Sequence, residues 1–424
     1  NKGTVPTCTD VVTIANGHIV TSSSSGNFAK NITIATGGTL VVSGGDLTVG
    51  CTLNNNTLAN SGTLTVSGGL LAVNGNISNG TGSTFNHTGG NIDIDGNNGG
   101  SATGSVASGT PLLLFLSNNI NLAGGTITII DPHTATTNTN AVAVKFDTSS
   151  ATANSRNTSP SHILQFGDGV STDAGGNTSG FFIDSWSTTG YLVIGKLVVN
   201  GATGTNRFVS SRYNLSVRGD IDVEANSTLN LATPLVLGGN LLVKLTGNYT
   251  NTSGTALNYV IDNTGSNLTF SPVTLPQTIT NNGVMANAVA SPTANLFSLE
   301  VNNTNAVGVT LNSPISISGT LTMTSGIINT TNTNLLTLGT ATAAGTLAGT
   351  PSATNMVRGP FARTIANANA NTNYILFPVG KTTYAPVWAA PATTAVSVMK
   401  AETFDTNTGT QSAAITSMAT NRRW

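Results

Sequence analysis

The chain has 424 residues and a formal net charge of −1, and only 7% of its residues are charged, against about 25% in ordinary soluble proteins. That excludes a general electrostatic field for nucleic acid or an anionic membrane, and no apolar run approaches the roughly 18 residues of a membrane span. The 38% hydrophobic content falls in regular alternation, which argues against a disordered chain.

No signal peptide opens the sequence; the expectation is that one has been removed or that the chain is an excerpt. The two cysteines are Cys8 and Cys51. A Thr-, Asn- and Ser-rich chain poor in Lys and Glu suggests an extracellular setting, where a disulfide persists. A Cys8–Cys51 bridge is one reading and two buried thiols the other. If each repeat takes about 20 residues, these cysteines lie two strand spacings apart, about 9–10 Å, beyond disulfide reach. A bridge therefore requires an irregular first repeat.

The first hundred residues establish a grammar. Asn31-Ile32-Thr33-Ile34, Leu47-Thr48-Val49, Thr63-Leu64-Thr65-Val66 and Ile92-Asp93-Ile94 alternate apolar and polar residues, the mark of half-buried strands. Corners such as Ser67-Gly68-Gly69 separate them, because Gly supplies the positive φ of a sharp turn. The phrase returns as GGTLVVSGG at 37–45, SGTLTVSGG at 61–69, GGTITII at 124–130 and SGTLTMTSG at 318–326. Self-similarity at about 20–25 residues predicts an all-β fold, a parallel β-helix or β-solenoid over 1–357 with coils stacked at about 4.8 Å. No helix is expected. Asn54-Asn55-Asn56 and Asn302-Asn303 are expected at corners, forming amide ladders. Stacked Thr or Asn side chains hydrogen-bond where stacked like charges would repel, which accounts in part for the scarce charge.

Further along, residues 134–162 alternate poorly and read as a long loop or insertion. The stretch at 166–176, FGDGVSTDAGG, reads as a corner-rich turn; Asp168 and Asp173 are the residues that would ligate Ca²⁺ there, and no other cofactor is expected. Phe181, Phe182, Trp186 and Tyr191 form the one local aromatic cluster. Of these, Phe182, Trp186 and Tyr191 are the candidates for glycan contact. Asp220, Asp222 and Glu224 share one face of a strand, whose simplest reading is a solvated face opposite buried Ile221 and Val223. The four histidines, His18, His87, His133 and His162, show no metal-type spacing. No nucleophile elbow, Walker loop, HExxH or CxxC occurs. From about 358 the grammar gains Pro, aromatic residues and charge, which predicts a small antiparallel β domain over 358–424, truncated at Trp424.

Several phrases resemble a known family. VPTCTDVVTIANGHIVT at 5–21 is similar to the opening of large secreted surface proteins of Bacteroidota, in which P-x-x-x-D-x-V-x-I-x-x-G-H-x-V maps onto Pro6, Asp10, Val12, Ile14, Gly17, His18 and Val20. GPFARTIA at 359–366, ILFPVGK at 375–381 and Arg422-Arg423-Trp424 resemble segments that follow the repeats in that family. The resemblance implies a β-strand-repeat, adhesin-like protein exported by the type IX route and displayed outside the cell. It offers no catalytic set to carry over.

These readings rank an extracellular structural role first: a surface stalk, adhesin segment or filament subunit, partnered by itself or by other surface components and without catalysis. The alternative is a carbohydrate-binding module for surface glycans. A β-helix polysaccharide lyase or hydrolase ranks lower, and requires Arg207, Arg212, Arg218, Asp220 and Asp222 to converge in one groove.

Overall fold

The computed structural model describes residues 5–51, 56–95, 111–131, 142–146, 157–171, 181–185, 192–203, 207–211, 214–230, 242–245, 249–251, 267–273, 275–283, 294–367 and 369–405. Among them there are strands and turns but no helix. The chain divides into two compact units, Asn1–Leu241 with Thr252–Asn258, and Leu242–Asn251 with Tyr259–Trp424.

In the first unit nine parallel strands form one sheet in sequence order, from Val11–Ile14, Asn31–Ile34, Asn56–Asn60 and Gly75–Asn79 through to Ser227–Asn230. Between its members the chain feeds further parallel ladders. Ile19–Ser22 pairs with Thr39–Val49, which pairs with Thr63–Val73, which pairs in turn with Thr84–His87 and Asn91–Asp95. Val11 stands opposite Asn31, Thr39 opposite Thr63 and Thr63 opposite Thr84, so the early offsets match the repeat read from sequence. The step from Asn91 to Thr126 is longer, because the chain between them carries additional residues.

This register puts like on like. Leu47, Leu71, Ile92, Ile127, Leu164, Leu197 and Ile221 form one continuous buried row, and Val49, Val73, Ile94, Ile129, Phe166, Val199 and Val223 form another. Each row hides its apolar area on both neighbours at once, at about 25 cal/mol per Å². The Gly-Gly corners follow from the same stacking. Gly45, Gly69 and Gly90 have φ of 61°, 68° and 74°, and a Cβ on Gly69 would sit 2.1 Å from the Gly45 carbonyl oxygen. Both the positive φ and the backbone above exclude a side chain.

Several of the polar residues that enter buried rows bring a partner, although the Thr158 hydroxyl, buried opposite Leu122, has none among the described residues. Asn60 and Asn79 stand between Ile34 and Phe115 in the nine-stranded sheet. Asn60 Nδ2 donates to Asn79 Oδ1 at 3.0 Å, and Asn79 Nδ2 donates to the Leu114 carbonyl at 3.1 Å. This amide pair lies in a core row of paired strands rather than at a corner, and Asn302 and Asn303 likewise belong to the strand Ser298–Asn303. Asn303 donates to Gln277 Oε1 at 2.8 Å. Asn54 and Asn55 lie outside the described residues, and Asn56 begins a strand.

Within residues 134–162, Val142–Phe146 is a strand paired on both sides and Asn157–Thr158 pairs with Asn121–Leu122. The remainder up to residue 156 lies outside the described residues. Weak alternation there hid strands that carry the ladder onward.

The second unit repeats the parallel scheme. Asn267–Val273, Ser298–Asn303, Thr320–Ser325 and Thr346–Gly349 pair in succession. Val309–Leu311, Ile328–Asn329, Val357–Arg358 and Val379–Gly380 form a second series. Parallel pairing thus runs past residue 358. It gives way to antiparallel pairing where Ser397–Ala401 returns along Phe361–Ile365, and in the hairpin of Ile375–Phe377 with Val387–Ala389.

Cys8 and Cys51 form a disulfide with Cα atoms 5.3 Å apart. The irregular first repeat that this requires is the Thr7–Asp10 turn. The Asp10 N–H donates to the Thr7 carbonyl, while the Thr7 N–H and hydroxyl both donate to Asp10 Oδ2. The turn folds Cys8 back to its partner instead of leaving it two spacings away.

Two outcomes follow. Leu64 is fully buried between Leu40 and Phe85, so Leu64→Ala should destabilise the first unit by about 2–5 kcal/mol. Thr65→Ala, on the half-exposed face, should stay within about 0.5 kcal/mol; urea denaturation of the two variants checks both. The disulfide closes a loop with a sequence separation of 43, so a Cys8→Ser/Cys51→Ser variant should lose up to about 4 kcal/mol in the chain-entropy picture. That loss should appear as faster proteolysis of the N-terminal repeats.

Candidate functional site

Strands Val11–Ile14, Ile19–Ser22 and Asn27–Ala29 are the outermost members of their ladders, each with one ladder partner among the described residues. On their other sides no further ladder partner occurs among the described residues. Proteins usually blunt such edges with Lys, Pro, a bulge or a covering segment. These three strands read VVTI, IVTS and NFA, with neither charge nor proline. Instead they expose apolar side chains: Ile19 is 72% exposed, Val11 63%, Val20 42% and Phe28 40%. A shallow apolar groove, bordered by Pro6, Val12, Val20, Phe28 and Leu40, runs along the same edge. An edge of this kind can extend a parallel sheet onto another strand.

Two histidines that look unrelated in sequence meet in the core of the first unit. His87 continues a buried row between Val66 and Leu122, and His162 arrives from the turn after Asn157–Thr158. Both are essentially unexposed. His87 Nδ1 and His162 Nε2 are 3.1 Å apart, and His87 Nε2 is 3.3 Å from the Gly90 carbonyl oxygen. The carbonyl can only accept, so His87 carries its proton on Nε2. His162 Nε2–H then donates to His87 Nδ1. Burial lowers the His87 pKa to about 4, against the opposing hydrogen bonds to the Gly90 and Gly89 backbone. Burial, followed by the charge of His87, lowers His162 to about 3. Neither sequence spacing nor composition signals the pair; it arises from the register of rows 75 residues apart.

The other sequence candidates are distributed as follows. Asp168 accepts from the Val170 N–H, the Ser171 N–H and the Ser171 hydroxyl. Burial works to raise its pKa, but those bonds outweigh it and hold the carboxyl below its ordinary value. The carboxylate closes its own turn. Asp173 lies outside the described residues. Asp93, half-buried, is raised by burial; a Thr128 hydrogen bond opposes this and the Asp168 charge adds to it.

Phe182 lies on Phe181–Ser185, opposite Ser210. Trp186 and Tyr191 lie outside the described residues.

Asp222 forms an ion pair with Lys196 at 2.5 Å. Burial lowers the Lys196 pKa, but the Asp222 hydrogen bond and the charges of Asp222, Asp220 and Glu224 raise it overall. That acidic face therefore surrounds a lysine. Arg218 donates to the Thr158 carbonyl at 2.8 Å. Arg207 is buried and reaches the Ser171 carbonyl at 3.4 Å. Arg212 lies outside the described residues. Arg207, Arg218 and Asp222 are each engaged locally, on different strands or turns. Among the described residues no group of three or more His, Cys, Asp or Glu side chains is arranged to hold a metal ion.

No family model matches the sequence, and no curated protein or solved structure is significantly similar to it.

The histidine pair gives a signed pH dependence. Both folded-state pKa values lie below the ordinary 6.5, so the unfolded chain binds more protons between about pH 6.5 and 4. Stability should be full above pH 6.5 and decline as pH falls through that window. A His87→Gln/His162→Gln variant should lose that slope in thermal unfolding followed from pH 8 to 4; an unchanged slope would place its origin elsewhere.

Proposed function

We propose that this chain is an extracellular structural protein, a closed β-solenoid that serves as a surface stalk, adhesin segment or filament subunit and associates with a second copy of itself. The observation that carries this reading is the strand edge at Val11–Ala29, uncharged and apolar, in a first unit whose ladders among the described residues are all parallel. Closure into a solenoid is supported by the steady alternation of the chain between the nine-stranded sheet and the neighbouring ladders. Each circuit brings the next strand beside its predecessor, so the chain grows in one dimension.

Scarce charge supports the same reading, because little repulsion opposes the approach of a second copy. The disulfide supports an oxidising, extracellular compartment. The resemblance to secreted surface proteins of Bacteroidota points in that direction too, and display at the cell surface is part of the proposal. No catalytic role is proposed; of the residues considered for a lyase or hydrolase, Arg207 and Arg218 make local hydrogen bonds and Asp222 an ion pair.

Negative-stain electron microscopy of the full chain is the deciding experiment. Rods joined end to end are expected, together with a concentration-dependent increase in sedimentation. An Ile19→Lys/Val20→Lys variant should remain as single rods, since two charges on the edge face would be buried unpaired by a second strand. Single rods for the unaltered chain at every concentration would rule out self-association through this edge.

A further inference from the structure

A cleft of about 530 Å³ in the second unit is lined by Arg358, Lys381, Thr382, Phe404 and Asp405. In a chain with 15 Lys and Arg among 424 residues, two basic side chains lining one cleft with an aromatic ring are a departure from the composition. The fold brings them together from three places. Val357–Arg358 lies parallel to Val379–Gly380, with Arg358 opposite Gly380. A tight turn, closed by the Gly380–Tyr384 bridge and by the Lys381 N–H donating to the Thr383 carbonyl, follows at once and presents Lys381 and Thr382. Phe404 and Asp405 come from the segment beyond Ser397–Ala401.

The charges in the cleft are unequal in their engagement. Lys381 Nζ is 2.9 Å from Glu402 Oε1 and 5.6 Å from the centre of the Phe404 ring, so its charge is already answered. Thr382 donates to Asp405 Oδ2 from its N–H at 3.1 Å and from its hydroxyl at 2.8 Å, which fixes that carboxylate by one oxygen. Arg358 differs. Its hydrogen bond among the described residues runs from Nη1 to Asn329 Oδ1 at 3.5 Å, and no carboxylate among them pairs with it. A guanidinium has five N–H donors in a planar fork that matches a carboxylate in two parallel bonds. The cleft therefore offers an underused bidentate cation, an aromatic ring, and a carboxylate oxygen able to accept from hydroxyls.

We propose that this cleft binds a carboxylate-bearing sugar residue of an acidic polysaccharide. The sugar carboxylate pairs with the Arg358 fork, an apolar ring face lies against Phe404, and sugar hydroxyls donate to Asp405. The volume suits one or two sugar residues. A bare phosphate or sulfate would use the guanidinium but bring no apolar ring face to Phe404. A neutral sugar would use the ring but leave the guanidinium unanswered. The proposal does not depend on edge association: a single rod could hold this sugar as well as a filament could, with affinity multiplied where many copies face one polymer.

The test is titration calorimetry of the full chain with trigalacturonate, with a neutral trisaccharide of the same linkage and with inorganic phosphate. Saturable binding of trigalacturonate is expected, with affinity at least about tenfold above both controls, a factor in keeping with a charge-assisted hydrogen-bond pair. Arg358→Gln should lose that preference, Arg358→Lys should retain part of it, and Phe404→Ala should weaken trigalacturonate without affecting phosphate. Arg218→Gln, in the other unit, should leave binding unchanged. Thermal midpoints of each variant verify folding, and Arg358→Lys serves as the readout if Arg358→Gln is unstable. Absence of trigalacturonate binding, equal affinity for the neutral trisaccharide or for phosphate, or full affinity in folded Arg358 variants would overturn the proposal.

Discussion

In-register parallel pairing is the constraint on which the rest of this structure depends. Once Leu47 lies beside Leu71 and Leu71 beside Ile92, whatever one repeat places inside, the next must match. An apolar residue in such a row is covered from both sides by residues of its own kind. A charge in the same place would meet a neighbour at about 4.8 Å, with nothing to answer it. A chain under that rule becomes poor in charge, rich in Thr and Asn, and repetitive to the eye. Its corners are constrained in the same way, because each Gly-Gly turn lies against the backbone of the one before it.

Exceptions to the rule show how strict it is. Where Asn60 interrupts an apolar row, its neighbour Asn79 accepts from it and donates in turn to the Leu114 carbonyl. Where His87 interrupts another, His162 reaches in from a turn to meet it. In the second unit Asn303 donates to Gln277 from a different ladder. A buried polar group without a partner costs about 1–3 kcal/mol, a cost these pairings offset. The histidine pair adds a consequence the amides lack, since protonation at acidic pH breaks an arrangement in which one ring donates and the other accepts.

The function proposed draws on what such an object leaves unsatisfied. A stack of identical layers is internally complete everywhere except at its ends and where the chain departs from the repeat. The first end is the uncharged edge from Val11 to Ala29, and it supports the reading of a self-associating surface protein. The departure from repeat is the antiparallel return of Ser397–Ala401, beside which Arg358, Phe404 and Asp405 meet. The partners proposed for the two places differ, a strand for one and an acidic sugar for the other, because one is a row of backbone groups among apolar side chains and the other a guanidinium in a cleft with an aromatic ring.

The sequence by itself determined the all-β class, the parallel strands, the glycine corners and the repeat length. All of these are local: alternation shows which face of a strand is buried, and Gly marks where φ turns positive. Non-local matters were decided only in the tertiary structure. Val142–Phe146 looked like loop and is a paired strand, since its place comes from neighbours in register rather than from its own alternation. The disulfide was open in sequence because an evenly spaced stack forbids it, and the Thr7–Asp10 turn resolves that. His87 and His162, 75 residues apart, gave no spacing signal; insertions of differing length between repeats erase any fixed interval. Arg358, Lys381 and Phe404 likewise became neighbours only through strand pairing and a chain reversal. A repeat specifies its own layer, and what faces what across layers depends on how many residues lie between them.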